Sequence, residues 1–129
     1  MDRQQMLALA EEFLGAWNTQ EVDRVLSCYT ADLEYRDPNT HGAVHGTEAM
    51  RRYLKKLFSR WRMHWSLREA HLFDDGRGCA VLWHATLRLL DGDVPIGIDG
   101  IDFVEVRDNR IARNEVVFDR AQLAPLLAA

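Results

Sequence analysis

The sequence predicts an α+β domain, with helices gathered in the N-terminal half and packed on a curved, largely antiparallel sheet. Three observations predict it. Apolar residues recur at helical spacing up to about residue 61, the period then changes to two, and Asp-Asp-Gly and Asp-Gly-Asp turns divide the remainder into long runs. The order helix, helix, strand, helix, then four strands places the helices on one face of the sheet and leaves a cone with an inside.

In residues 2 to 18, Met6, Ala10, Phe13 and Trp17 form one stripe of an amphipathic helix. After a polar break at Asn18-Thr19-Gln20, Val22, Val25, Leu26 and Tyr29 repeat that spacing, which predicts a second helix. Leu33 to Pro38 alternates with period two. Pro38 forces Asp37 out of helical geometry, so a short strand ends there. Gly42 and Gly46 mark a loop, Thr47 is placed to cap a third helix, and Met50, Leu54, Leu57, Phe58 and Trp61 supply that helix's apolar face. Lys55, Lys56 and Arg60 near its end complement the macrodipole. Runs of about 62 to 73, 79 to 91, 94 to 107 and 110 to 118 predict an antiparallel meander, and the segment from Arg120 packs back as a short helix or tail.

With 129 residues, 47% hydrophobic and 28% charged, the chain suits a single domain over 1–129. Its 20 acidic and 16 basic residues include no basic block of the kind phosphate backbones attract, so no nucleic acid is expected. The first residues lack a long apolar run, so no membrane span is expected and a cytoplasmic location follows as the default. Cys28 and Cys79 lie in no metal-ligand spacing and read as buried, reduced thiols. His41 and His45 stand four apart in a loop rather than on a helical turn, and neither a metal nor a cofactor is expected.

Strand parity picks out the candidate site. In the run 94 to 107, Asp102 shares a face with Val94, Ile96, Ile98, Val104 and Val106, where an acid either finds a hydrogen-bonding partner or takes a raised pKa. A structural ion pair is the plainer alternative. Asp37 shares its face with Leu33 and Tyr35 and is read either as a general base or as a carboxylate accepting N–H bonds in the following turn. A two-residue turn at Asp108-Asn109 would pair Asp102 with Glu115 and Val104 with Arg113; a bulge would send Glu115 to the other face. His84 reads as an outer-face residue.

The run FLGAWNTQEVDRVLSCYTADLEYRDPNTHGAVHGTEAMRRYLKKLF, followed by DGIDFVEVRDNRIARNEVVFD, resembles the nuclear transport factor 2-like superfamily with its SnoaL-like and ketosteroid-isomerase-like branches. The resemblance covers almost the whole chain. It implies a cystatin-like cone of three N-terminal helices on a curved mixed or antiparallel sheet enclosing a deep pocket, and a homodimer through the sheet's outer face, where Leu82, His84, Ile101, Phe103 and Val116 are expected. Asp37 matches the isomerases' general base, and Asp102 their aspartic acid that donates to the enolate oxygen. Phe13 stands where those isomerases carry a tyrosine.

The expected ligand is a small apolar or carbonyl-containing molecule, acted on by an isomerase or cyclase through Asp37 and Asp102. Phe13, Trp17, Tyr35, His45, Tyr53, Val104, Arg113 and Glu115 are expected around it. An epoxide-hydrolysing site built on Asp102, Arg113 and Glu115, and a non-catalytic binding or dimeric scaffold domain, are the alternatives.

Overall fold

A computed structural model describes residues 1–127. Helix α1 (Arg3–Thr19) opens with a capping box in which the Asp2 side chain accepts from Gln5 N–H, and it buries Met6, Ala10, Phe13, Leu14 and Trp17. Helix α2 (Val22–Leu26) is one short turn. Strand β1 (Tyr29–Arg36), the two-residue β2 (Val44–His45), helix α3 (Gly46–Arg60) and strands β3 (Trp61–Leu72), β4 (Gly78–Leu89), β5 (Ile96–Arg107) and β6 (Arg110–Val117) follow. A 3-10 turn (Arg120–Leu123) and helix α4 (Ala124–Leu127) close the described chain. No described helix is long and apolar enough to cross a membrane.

The six strands form one sheet in the order β2-β1-β6-β5-β4-β3, antiparallel except where β1 runs parallel to β6. The expected meander is therefore β3 to β6, with β1 laid beside its last strand. Tyr29 corrects the sequence reading, since it opens β1 instead of extending the second helix. The Cys28 carbonyl already accepts from Ile111 N–H at 2.8 Å, so strand pairing takes over from helical spacing there. Thr47 is not a cap either: α3 begins at Gly46, and the threonine hydroxyl bonds the Ala31 carbonyl at 3.4 Å. Cys79 is buried, whereas Cys28 is only half-buried.

Two bulges curve the sheet, with Arg68 the extra residue in β3 and Ala112 the extra residue in β6. The turn between β5 and β6 has positive φ at both Asp108 and Asn109, as a two-residue hairpin requires. That turn pairs Val106 with Ile111, but beyond Ala112 the register moves by one, giving Glu105 with Arg113, Val104 with Asn114, Phe103 with Glu115 and Asp102 with Val116. The expected Asp102–Glu115 pair does not exist. Asn114 and Val116 point inward; Arg113 and Glu115 share the outer face with Phe103 and the exposed Val117.

The polar C-terminal end of α1 protects the edge strand β3. Asn18 donates to the Trp65 carbonyl at 2.9 Å and accepts from Trp65 N–H at 2.7 Å, and Gln20 treats the Trp61 carbonyl and Met63 N–H in the same way, each at 2.8 Å. Two side chains thus stand in for a missing neighbour strand. They also fix α1 over the inner face.

Gly100 sits opposite Trp83, whose indole lies across it. A Cβ at position 100 would overlap the indole carbons and stand 2.9 Å from the Val117 carbonyl oxygen. Gly100→Ala should therefore cost about 1–3 kcal/mol of stability through overpacking. Urea unfolding followed by circular dichroism measures this, and an unchanged midpoint would contradict it.

Candidate functional site

Between α1, α3 and the inner sheet face lies a narrow, partly open apolar hollow with a cavity volume of about 60 Å³. Trp17, Trp61, Trp65 and Trp83 crowd its walls, together with Met63, Ile98, Val116 and Phe118. Its polar groups gather at one end, where Tyr35, Asp37, Asn39 and Tyr53 meet.

Asp37 continues the inward parity of Leu33 and Tyr35 and is 8% exposed. Its Oδ1 accepts from the backbone N–H of Asn39 at 2.7 Å and of Thr40 at 3.1 Å, closing the turn that follows β1. Its Oδ2 accepts from the Tyr35 hydroxyl at 2.7 Å and from the Tyr53 hydroxyl in a short bond. Oδ1 thus makes the turn bonds expected of an Asp-Pro sequence, while Oδ2 faces the two hydroxyls. Four donors and no acceptor are the surroundings that suit a carboxylate. Burial, and then the charges and groups beside them, push the Tyr35 and Tyr53 hydroxyls well above the usual tyrosine range, so both stay proton donors. Their rings lie 5.4 Å apart, and Trp17 stacks on Tyr35 at 5.8 Å.

Asp102 also points inward, yet it lies behind the hollow. It lines a smaller void with Phe13, Leu14, Trp17, Tyr35, Trp65 and Val116. Oδ1 accepts from the Trp83 indole N–H at 2.8 Å and Oδ2 from the Asn114 amide at 3.3 Å. Asn114 Oδ1 accepts from the Tyr29 hydroxyl at 2.8 Å, which in turn accepts from the Trp17 indole N–H at 3.2 Å. Burial pushes the Asp102 carboxyl up to about 7 although the Trp83 and Asn114 hydrogen bonds pull it down.

The chain's similarity to known proteins agrees with this architecture, since a model of the SnoaL-like domain matches residues 10–114. The chain belongs to the SnoaL-like domain family. No curated protein matches the SnoaL-like chain, but solved structures do. A nuclear transport factor 2-like protein of unknown function from Burkholderia pseudomallei has a TM-score of 0.83 at 17% identity, covering 100% of both chains. The epoxide hydrolase/cyclase-like enzyme SalBIII, which acts in pyran ring formation in polyether salinomycin, has 0.82 at 18%, covering 94% of this chain and 95% of its own. A ketosteroid isomerase-like protein from Catenulispora acidiphila, solved with trimethylamine, has 0.81 at 12%, covering 92% and 90%. At these identities the likeness shows the fold.

Of the residues expected around a ligand, the SnoaL-like fold brings Trp17, Tyr35, Asp37 and Tyr53 to the hollow, and Phe13 and Asp102 to the void behind it. It does not bring the other four there. His45 is exposed on β2 beside Glu34, because the edge pairing of β2 with β1 turns its ring away from the core. Val104 is fully buried core, between Cys79 and Asn114 in register. Arg113 and Glu115 are turned outward by the Ala112 bulge, where Arg113 bonds Glu105 at 2.9 Å and Glu115 at 3.1 Å. The charged cluster of Asp102, Arg113 and Glu115 thus does not form. The sequence reading missed Asn114 and Val116, for which the bulge left no signal, and Asn39, whose position after Asp37-Pro38 was the available clue.

The raised Asp102 pKa makes stability depend on pH. Between its ordinary 3.8 and about 7 the folded state holds a proton that the unfolded state has lost, so stability falls as pH rises through this window. About three units at about 1.4 kcal/mol each amount to a loss on the order of 4 kcal/mol. Urea unfolding at pH 4 and pH 7 should show this loss in the wild type relative to Asp102→Asn. Parallel profiles for the two proteins would contradict it.

Proposed function

We propose that the protein is an enzyme that moves a proton on a small apolar carbonyl compound, with Asp37 as the base. What supports this reading above all is Asp37 Oδ2, a carboxylate oxygen at the end of an apolar hollow, held by two tyrosine hydroxyls. A ring carbonyl that parts the indole walls of the narrow hollow presents its α-carbon to Oδ2, which takes the proton. As the charge shifts to the carbonyl oxygen, the Tyr53 hydroxyl turns from Asp37 to that oxygen and donates to it, while Tyr35 keeps its bond to the carboxyl. The proton returns from Asp37 to the far carbon of the conjugated system, which gives an isomerase; attack of the enolate on a second carbonyl, with the proton passing from Asp37 to the alkoxide so formed, gives a cyclase.

In this reading Tyr53 supplies the donation that the sequence assigned to Asp102. Asp102 is the positioning residue that holds Trp83, a wall of the hollow, through its indole N–H. A homodimer through the outer sheet face belongs to the same proposal, on the strength of Ile101 and Val117, exposed beside Leu82 and Phe103. Val116, named from sequence for that patch, lines the hollow instead.

The test is conversion of 3-cyclohexenone to 2-cyclohexenone, followed by the absorbance of the conjugated product. The wild type should outpace buffer, and Asp37→Asn should lose about 10²–10⁴-fold with its unfolding midpoint kept, the usual worth of a positioned base. An Asp37→Asn protein of wild-type rate would refute the base. Sedimentation equilibrium tests the dimer, which a monomer at high concentration would exclude.

A further inference from the structure

We infer that the mouth of the hollow is an anion site, and that the ligand is an apolar molecule ending in a carboxylate. This rests on the hollow being a ligand site, as proposed above, and adds which chemical class enters it. Outside the hollow a second, wider groove runs between the His41–Val44 loop, α3 and the 3-10 turn, sharing Asn39, Tyr53, Leu57, Trp61 and Leu123 with the hollow as common walls. A molecule whose ring lies among the indoles therefore projects its substituent into the groove.

The groove is lined by Lys56, Arg60, Arg120 and His41 and by no aspartate or glutamate. In a chain of net charge -4 this local excess is not a matter of composition. Lys56 and Arg60 stand four apart on α3 and so rise from one helical face. Among the described residues none of Lys56, Arg60 and Arg120 makes an ion pair, so all three charges are available to a ligand. Arg60 lies over the Trp61 ring at 5.9 Å, at the boundary of the two spaces. Arg120 is aimed by Asn39, whose Oδ1 accepts from its Nε at 2.8 Å, while Asn39 N–H donates to Asp37 at 2.7 Å. One residue thus ties a cation of the mouth to the acid of the hollow. Two guanidinium groups and an ammonium suit a carboxylate, since the guanidinium fork matches its two oxygens. Asp37 at the inner end keeps such a head outside by like-charge repulsion.

Titration of the tryptophan fluorescence with 4-phenylbutyrate and its uncharged partner 4-phenylbutanamide tests the inference. The acid should bind at least about fivefold more tightly at low salt, the scale expected of a few solvent-exposed charge pairs, and lose that advantage at high salt. The triple variant Lys56→Gln, Arg60→Gln, Arg120→Gln should bind acid and amide alike, and unchanged amide affinity reports that its hollow is intact. Equal binding of both compounds by the wild type, or an acid preference that survives in the variant, overturns the anion site and leaves the hollow as a ligand site. Binding of neither compound overturns both.

Discussion

A single extra residue, Ala112 in β6, decides what each face of the sheet can do. Without it the pairing set by the Asp108-Asn109 turn would continue, and Arg113 and Glu115 would face inward beside Asp102. With it, Asn114 turns inward and joins Tyr29 to Asp102, while Arg113 and Glu115 make surface ion pairs. The interior receives one neutral amide in place of a cation and a second acid. A buried amide that is bonded on both its ends costs far less than a buried charge without a partner.

The two interior aspartates differ through the donors around them. Asp102 is held by an indole and an amide, themselves fixed by strand register and by the hydroxyl of Tyr29, and it lies behind Trp17, Tyr35 and Trp65. None of those donors can leave without opening the core. Asp37 is held on one oxygen by backbone N–H groups and on the other by two hydroxyls, of which Tyr53 stands at the mouth and belongs to both spaces. A hydroxyl can rotate to a new acceptor at small cost. The two acids thus differ in the freedom of their donors rather than in depth of burial, which is nearly the same for both, at 8% and 6% exposed.

Much of this was legible in the sequence. Period-two alternation placed Asp37 and Asp102 inward, and the α1 stripe put Phe13 and Trp17 over them, because both follow from local geometry. The bulge was not legible, since no glycine marks Ala112, and one residue of slippage reversed the expected facing of Asn114, Glu115 and Val116. Tyr29 failed for another reason: its spacing from Val25 fits a helix, and only the distant partner Ile111 makes it a strand residue. Lys56 and Arg60 were read for their position at a helix end. Their meeting with Arg120, sixty or more positions later in the chain, depends on how the C-terminal turn packs against α3.

In the proposed reading the hollow brings the α-carbon of a carbonyl compound to a basic oxygen, and proton loss alone reports that step. Cyclohexanone in D2O, followed by proton NMR with and without the protein, isolates it from any later ring closure or reprotonation elsewhere. The protein should speed loss of the α-proton signals well beyond buffer. Wash-out at the buffer rate, with the ketone shown by fluorescence to be bound, would contradict it.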